Sequence, residues 1–192
     1  MKTFFSICLA SVFSVSLLAC STPAPPKPYA GPILPIAQID RGVQIVLPDN
    51  VLFESGKSVL NLSGSQAYLE RIAQIINQKT VKQVAIEGHT DALGAANLNQ
   101  KLSDDRAIAV RDILLSLKVP AERMTTTGYS FERPVASNAT EDGRKFNRRT
   151  EIIILDEKIE NITKGEAENS FEAAFSRLKS MVEQGLLQAP AK

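Results

Sequence analysis

Two side chains of opposite charge are set where they could act together. The run Gly88-His89-Thr90-Asp91-Ala92-Leu93-Gly94 follows a stretch with a strand's apolar pattern. Its glycines permit the backbone of a tight turn, so Asp91 is offered on a loop. Asn99, Ser103 and Arg106 then recur at steps of four and three, which puts them on one stripe of a helix. A loop carboxylate followed by a helix-borne guanidinium can do one of two things. The pair can close an internal salt bridge, or it can stand apart and clamp a zwitterion, the acid taking an ammonium and the arginine a carboxylate through two parallel hydrogen bonds. Bonds of that kind contribute about 1.5–3 kcal/mol each, so a single site gives modest affinity.

Other chemistries find little to work with. His89 is the chain's single histidine; with no cluster of carboxylates beside it in sequence, it is expected to hydrogen-bond the turn rather than to ligate a metal. No Gly-x-Ser-x-Gly elbow is present to activate a nucleophile, and no cofactor is expected. Arg144, Lys145, Arg148 and Arg149 form a basic cluster, but Phe146 is the only aromatic among them. With 22 basic and 21 acidic residues the chain is close to neutral, so a nucleic-acid partner is not expected.

The elements that must position these groups can be read from periodicity. Val43, Ile45 and Leu47 alternate with Gln44 and Val46 as in a strand, and residues 51–53 read as a short extended piece after the Pro48-Asp49-Asn50 turn. Leu69, Ile72, Ala73 and Ile76 have helical spacing, with Ser63 and Ser65 as candidate caps. Residues 81–87 read as a strand that turns Val84 and Ile86 inward. Residues 96–117 form a helix whose apolar face carries Ala107, Val110, Leu114 and Leu117. Residues 124–127 and 150–155 supply the last strands. The order β-β-α-β-α-β-β predicts an α+β fold, with helices packed on one face of a mixed sheet.

The flanks have a different composition. Lys2 precedes an apolar run from Phe4 to Leu18, too short for an ordinary membrane span and patterned like a signal peptide. It closes on Leu17-Leu18-Ala19-Cys20, which resembles the lipobox of bacterial lipoproteins. That resemblance implies a signal peptide over 1–19, lipid (palmitate) on Cys20 and a membrane anchor. Cys8 would leave with the signal, so no disulfide is expected. Six prolines between Ser21 and Pro35 favour extended chain, and residues 20–41 are expected to be a tether. Residues 157–192 read as a charged connector and an amphipathic helix carrying Phe171, Phe175, Leu178, Met181, Val182 and Leu186. Such a helix either docks on its own domain or recruits another envelope protein.

Taken together, Gly88-His89-Thr90-Asp91, Asn99, Leu102-Ser103, Arg106-Ala107, Val110, Gly128-Tyr129, Pro134 and Asn147-Arg148-Arg149 resemble the OmpA-like domain family. The resemblance places the domain at 42–156 and implies a β-α-β-α-β sandwich. It also implies non-covalent binding of peptidoglycan through meso-diaminopimelate, the zwitterionic side chain of the stem peptide, with Asp91 and Arg106 as principal contacts. Arg148, Asn147, Asn97, Leu93, Thr90 and Phe53 fall where the family builds the rest of the pocket wall. Ser130-Phe131 departs from the glycine and charged residues often found after the Gly-Tyr pair. The expected protein is an outer-membrane lipoprotein, its domain in the periplasm, that binds the cell wall and does not cut it. The alternatives are an anchoring subunit of a trans-envelope secretion or motor complex, and a hydrolase pairing Asp91 with Glu87 or Asp104.

Overall fold

The computed structural model describes residues 29–54 and 56–190; the expected signal peptide and Cys20 lie outside them. Six strands form one mixed sheet: β1 (Leu34–Ile39), β2 (Gly42–Pro48), β3 (Val84–His89), β4 (Met124–Gly128), β5 (Arg149–Leu155) and β6 (Phe171–Ala173), ordered β4-β3-β5-β2-β1-β6. β5 runs antiparallel to both β2 and β3, while β3 and β4 are parallel, as the long helical crossover between them requires.

Period-two alternation divides the sheet into two unlike faces. One face carries Val43, Ile45, Leu47, Val84, Ile86, Ile152 and Ile154, all buried, and two helices cover it: α2 (Leu62–Lys79) through Leu69, Ile72 and Ile76, and α3 (Ala96–Ser116) through Ala107, Val110 and Leu114. Both stripes are those expected from the spacing. The other face carries Gln44, Glu87, His89, Arg149 and Glu151, also buried. Glu87 and Glu151 are directly opposed across β3 and β5, an arrangement that is destabilising unless countered. Arg41 Nη2 donates to Glu87 Oε1 at 2.7 Å and Arg149 Nε donates to Glu151 Oε1 at 2.6 Å.

Four elements differ from expectation. The stretch expected to be tether up to residue 41 contains β1, an antiparallel partner of β2; Pro35 alternates with buried Leu34 and Ile36, and so few apolar residues among prolines give a weak strand signal. Residues 51–53 are not a strand. Asp49–Leu52 make one helical turn, α1, after which Phe53 forms an isolated bridge with Leu60. Asn61, not Ser63 or Ser65, is the N-cap of α2. The C-terminal stripe is not one helix: β6 extends the sheet parallel to β1, and the helix is shortened to α6 (Ser176–Glu183). α6 docks on its own domain, Leu178 and Leu187 packing with Ala136. Two further short helices, α4 (Glu141–Asn147) and α5 (Ile159–Thr163), flank β5. No helix among the described residues is long and apolar enough to cross a membrane.

Candidate functional site

Asp91 follows the end of β3, and the approach of α3 to that strand explains the local sequence. A Cβ on Gly88 would lie 2.1 Å from the Ser103 carbonyl oxygen, so only glycine lets the helix come this close. The loop beyond is fixed at several points. Thr90 N donates to Ser130 O at 2.8 Å, Leu93 N donates to Asp91 Oδ1 at 3.0 Å, and Asn99 Nδ2 donates to Leu93 O at 2.8 Å. Gly94 has φ +90, in the left-handed region that favours glycine. Ser130 also has a positive φ, 49, so the unusual residue after Gly-Tyr sits where glycine would be unstrained.

Asp91 and Arg106 are not bonded to each other, so the internal bridge considered from sequence is not the one that forms. Each has another partner. Arg148 Nη1 donates to Asp91 Oδ2 at 2.6 Å, and Arg106 Nη2 donates to Asp49 Oδ2 at 2.8 Å. The four groups form an alternating quartet, close enough that Asp91 and Arg148 both act on the charges of Asp49 and Arg106. Arg106 is 1% exposed; its Nε donates to Lys57 O at 3.0 Å, and the Phe53 ring centre lies 5.2 Å from its guanidinium carbon. Burial pushes the Asp49 carboxyl up to about 6 against the pull of Arg106, and burial lowers Arg106 in turn. Arg148 is the more exposed cation, and its Nη2 also donates to Glu141 Oε1 at 2.8 Å. Two atoms of the inner pair, Asp49 Oδ1 and Arg106 Nη1, are buried without a hydrogen-bond partner.

The remaining expected residues separate into two groups. Thr90 and Phe53 are buried beside the quartet, whereas Leu93 is 59% exposed at the loop tip and Asn97 is exposed on the first turn of α3. Asn147 is fully buried. Its Oδ1 accepts from Val135 N and Ala136 N, and its Nδ2 donates to Ala136 O and to Asn138 Oδ1. Asn138 Oδ1 in turn accepts from Ala92 N at 3.1 Å, so Asn147 acts on the Asp91 loop through Asn138. Sequence reasoning missed Asp49, Asn138 and Glu141. Asp49 sat in an ordinary Pro-Asp-Asn turn, and only the 57-residue separation bridged by folding gives it a role.

His89 also differs from expectation. Neither ring nitrogen has a hydrogen-bond partner, and the ring stacks on Tyr129 with centroids 5.6 Å apart. The structure does bring carboxylates to it: Glu87 and Glu151 offer ligand atoms within 4.8 Å of each other and of the imidazole. Those carboxylates already face Arg41, Arg133 and Arg149. Burial, then Arg149 and Arg133, pushes the His89 pKa down to about 2, so the imidazole is neutral; a dication placed there would meet the same guanidinium charges.

The model for "OmpA family" matches residues 52–148, 97 of the 192 residues. The chain belongs to the OmpA family. Among curated relatives, it is 41% identical over 120 residues to outer membrane porin F of Pseudomonas fluorescens, covering 62% of this chain and 35% of that protein. It is 36% identical over 115 residues to the outer-membrane lipoprotein YfiB of Pseudomonas aeruginosa, covering 60% of this chain and 68% of YfiB. Several of the curated relatives it matches are much longer, and the chain spans about a third of the porin's length. Among solved structures, the cell wall anchor of the Pseudomonas aeruginosa T6SS superposes with TM-score 0.58 at 33% identity, covering 64% of this chain and 87% of the anchor. The α+β architecture is thus that of the family; β1 and β2 precede the matched span and β5, β6 and α6 follow it.

Proposed function

We propose that the protein binds peptidoglycan non-covalently, through the zwitterionic end of meso-diaminopimelate, at the Asp49/Arg106/Asp91/Arg148 quartet. The observation that carries this reading is the pair of orphaned atoms. Arg106 Nη1 is a buried donor and Asp49 Oδ1 a buried acceptor, both without partners. Leaving such groups unsatisfied costs about 1–3 kcal/mol each. A ligand carboxylate at Arg106 and a ligand ammonium between Asp49 and Asp91 would satisfy both. A purely anionic ligand would meet two carboxylates, and a purely cationic one two guanidiniums, so the quartet favours a zwitterion. Membership of the OmpA family and likeness to a cell wall anchor support the same ligand.

The tethering half of the proposal rests on the Leu17-Leu18-Ala19-Cys20 pattern and on similarity to an outer-membrane lipoprotein. Acyl chains on Cys20 would hold the protein in the outer membrane with its domain in the periplasm. Tyr29 already lies against Arg71 of the domain, 5.3 Å from ring centre to guanidinium, so residues 21–28 would be the tether, which at ~3.1 Å per residue in extended polyproline form allows roughly 25 Å of reach. The protein would link membrane to wall without cutting either. Pull-down with purified sacculi tests the site. Asp91→Ala and Asp49→Asn should both lose sedimentation with sacculi, and no muropeptides should be released. If both variants sediment as wild type does, the site is placed wrongly; release that depends on Asp91 would make the protein a hydrolase. Membrane fractionation of Cys20→Ser tests the anchor, and unchanged membrane retention would remove it.

A further inference from the structure

A cavity of about 860 Å³ opens beside the quartet. It lies against Pro35 and the outward-facing Val46, and shares Asp49, Phe53 and Arg148 with the site described above. Neither Asp91 nor Arg106 lines it. Its far wall is made by Phe175, Arg177 and Met181, beyond the part of the chain that the family model matches. The volume is in the upper part of the roughly 300–1,000 Å³ that holds a drug-sized ligand, far more than the head of one amino-acid side chain needs.

We propose that this cleft is a second subsite, continuous with the first, which takes the acidic peptide from which the zwitterionic side chain projects, with Arg177 receiving one of its carboxylates. The inference rests on the diaminopimelate reading above. A side chain of a polymer cannot enter a site alone; its main chain must leave along an adjoining surface, and the cleft adjoins the quartet at Asp49 and Arg148, with Phe53 beside them. The walls suit such a chain. Val46, Phe146 and Met181 offer apolar surface for alanine methyl groups.

The cations on those walls are not equivalent. Lys145 is paired with Asp142 at 2.9 Å, Arg148 with Asp91 at 2.6 Å and Arg149 with Glu151 at 2.6 Å. Arg177 has no acidic partner among the described residues. Of the acids on the same lining, Asp142 is paired with Lys145 and Glu54 with Lys57 at 2.7 Å, and Glu172 is exposed to water as Arg177 is. The backbone that presents Arg177 is held in an uncommon conformation. Phe175 has φ 59, which for a bulky residue persists only where the surroundings enforce it. Here they include the Arg149 guanidinium 6.0 Å from its ring centre and the docked Leu178.

Calorimetric titration of the purified protein with two probes tests this inference: free meso-diaminopimelate, and the soluble tetrapeptide L-Ala-γ-D-Glu-meso-diaminopimelate-D-Ala. The tetrapeptide should bind about tenfold more tightly than the free amino acid, as one added charge-assisted contact gives. Arg177→Ala, at an exposed position with no intramolecular ion pair to lose, should abolish that advantage and leave affinity for the free amino acid unchanged. Equal affinity of wild type for the two probes, or an advantage that survives Arg177→Ala, would overturn the second subsite while leaving the first intact. If wild type binds neither probe, the diaminopimelate reading itself fails and the second subsite falls with it.

Discussion

Arg106→Ala is the obvious test of the binding site, and the structure says that it will mislead unless Asp49 is changed with it. Arg106 is 1% exposed and, among the described residues, is the only cation hydrogen-bonded to Asp49, itself 8% exposed. Removing one partner of such a pair leaves an uncompensated buried charge and costs about 3–5 kcal/mol. For a chain of this size, ~2–4 °C of melting temperature is lost per kcal/mol, so Arg106→Ala should melt roughly 6–20 °C below wild type. Asp91→Ala should behave differently. It frees Arg148, which is partly exposed and keeps its bond to Glu141 at 2.8 Å, and it takes the acceptor from Leu93 N, so the loss should be about 1–2 kcal/mol, below that of Arg106→Ala. The double variant Asp49→Asn/Arg106→Met removes both buried charges and should return to within about 1–2 kcal/mol of wild type, while still failing to bind sacculi. Thermal melts of the four proteins at one pH, with pull-down of each, make the comparison. If Arg106→Ala melts with wild type, or the double variant is no more stable than the single, the buried Asp49–Arg106 pair does not carry the energy assigned to it.

Three further outcomes follow from the same geometry. Because the folded Asp49 pKa is raised from 3.8 to about 6, the folded state holds a proton that the unfolded state has released. Stability therefore falls as pH rises through that window, by up to about 3 kcal/mol at ~1.4 kcal/mol per unit. Relative to wild type, Asp49→Asn should gain stability between pH 4 and pH 6 in melts across that range; a constant difference would contradict the raised pKa. His89, pushed down to about 2, should show no imidazole titration by NMR at physiological pH, and a midpoint near the ordinary ~6.5 would mean that the outer sheet face is hydrated. Asn138→Ala should weaken diaminopimelate binding by loosening Ala92 while lowering stability by only about 1 kcal/mol, and Asn138→Asp, which keeps the accepting oxygen, should restore binding. Equal melting losses without any change in affinity would make Asn138 purely structural.

What could be read from the sequence was whatever repeats at short range. The core-facing residues of β2, β3, β5, α2 and α3 follow periods of two or nearly four, and the structure places them where those periods put them. The Gly88-to-Gly94 turn was equally visible, since glycine requirements are local. β1 was hidden because prolines around it mimic a tether, and a strand next to other strands gains its ladder from partners that composition does not reveal. β6 and the shortened α6 were hidden because a stripe from Phe171 to Leu186 fits helical spacing whether or not its first three residues join a sheet.

The site shows the same division. Asp91 and Arg106 were found because each stands in a locally patterned segment, but spacing cannot say that a third and a fourth charge lie between and beside them. Asp49 comes from 57 residues before Arg106, and Arg148 from 57 residues after Asp91. Their arrival changes the chemistry. An isolated acid and an isolated base would be equally open to any charged solute, whereas two acid–base pairs set side by side are neutral as a whole and, on the function proposed above, would favour a ligand carrying both signs. It also divides the labour within the quartet. Arg148, on the exposed side and shared between Asp91 and Glu141, can exchange partners at little cost, while Arg106, buried under Phe53 with one nitrogen unpaired, would in the proposed site receive the incoming carboxylate. Binding should therefore begin at Arg148 and finish at Arg106. An Arg148→Ala variant should accordingly slow association more than it speeds release in stopped-flow binding to soluble stem peptide; the opposite ratio would place Arg148, not Arg106, at the seat of the bound state.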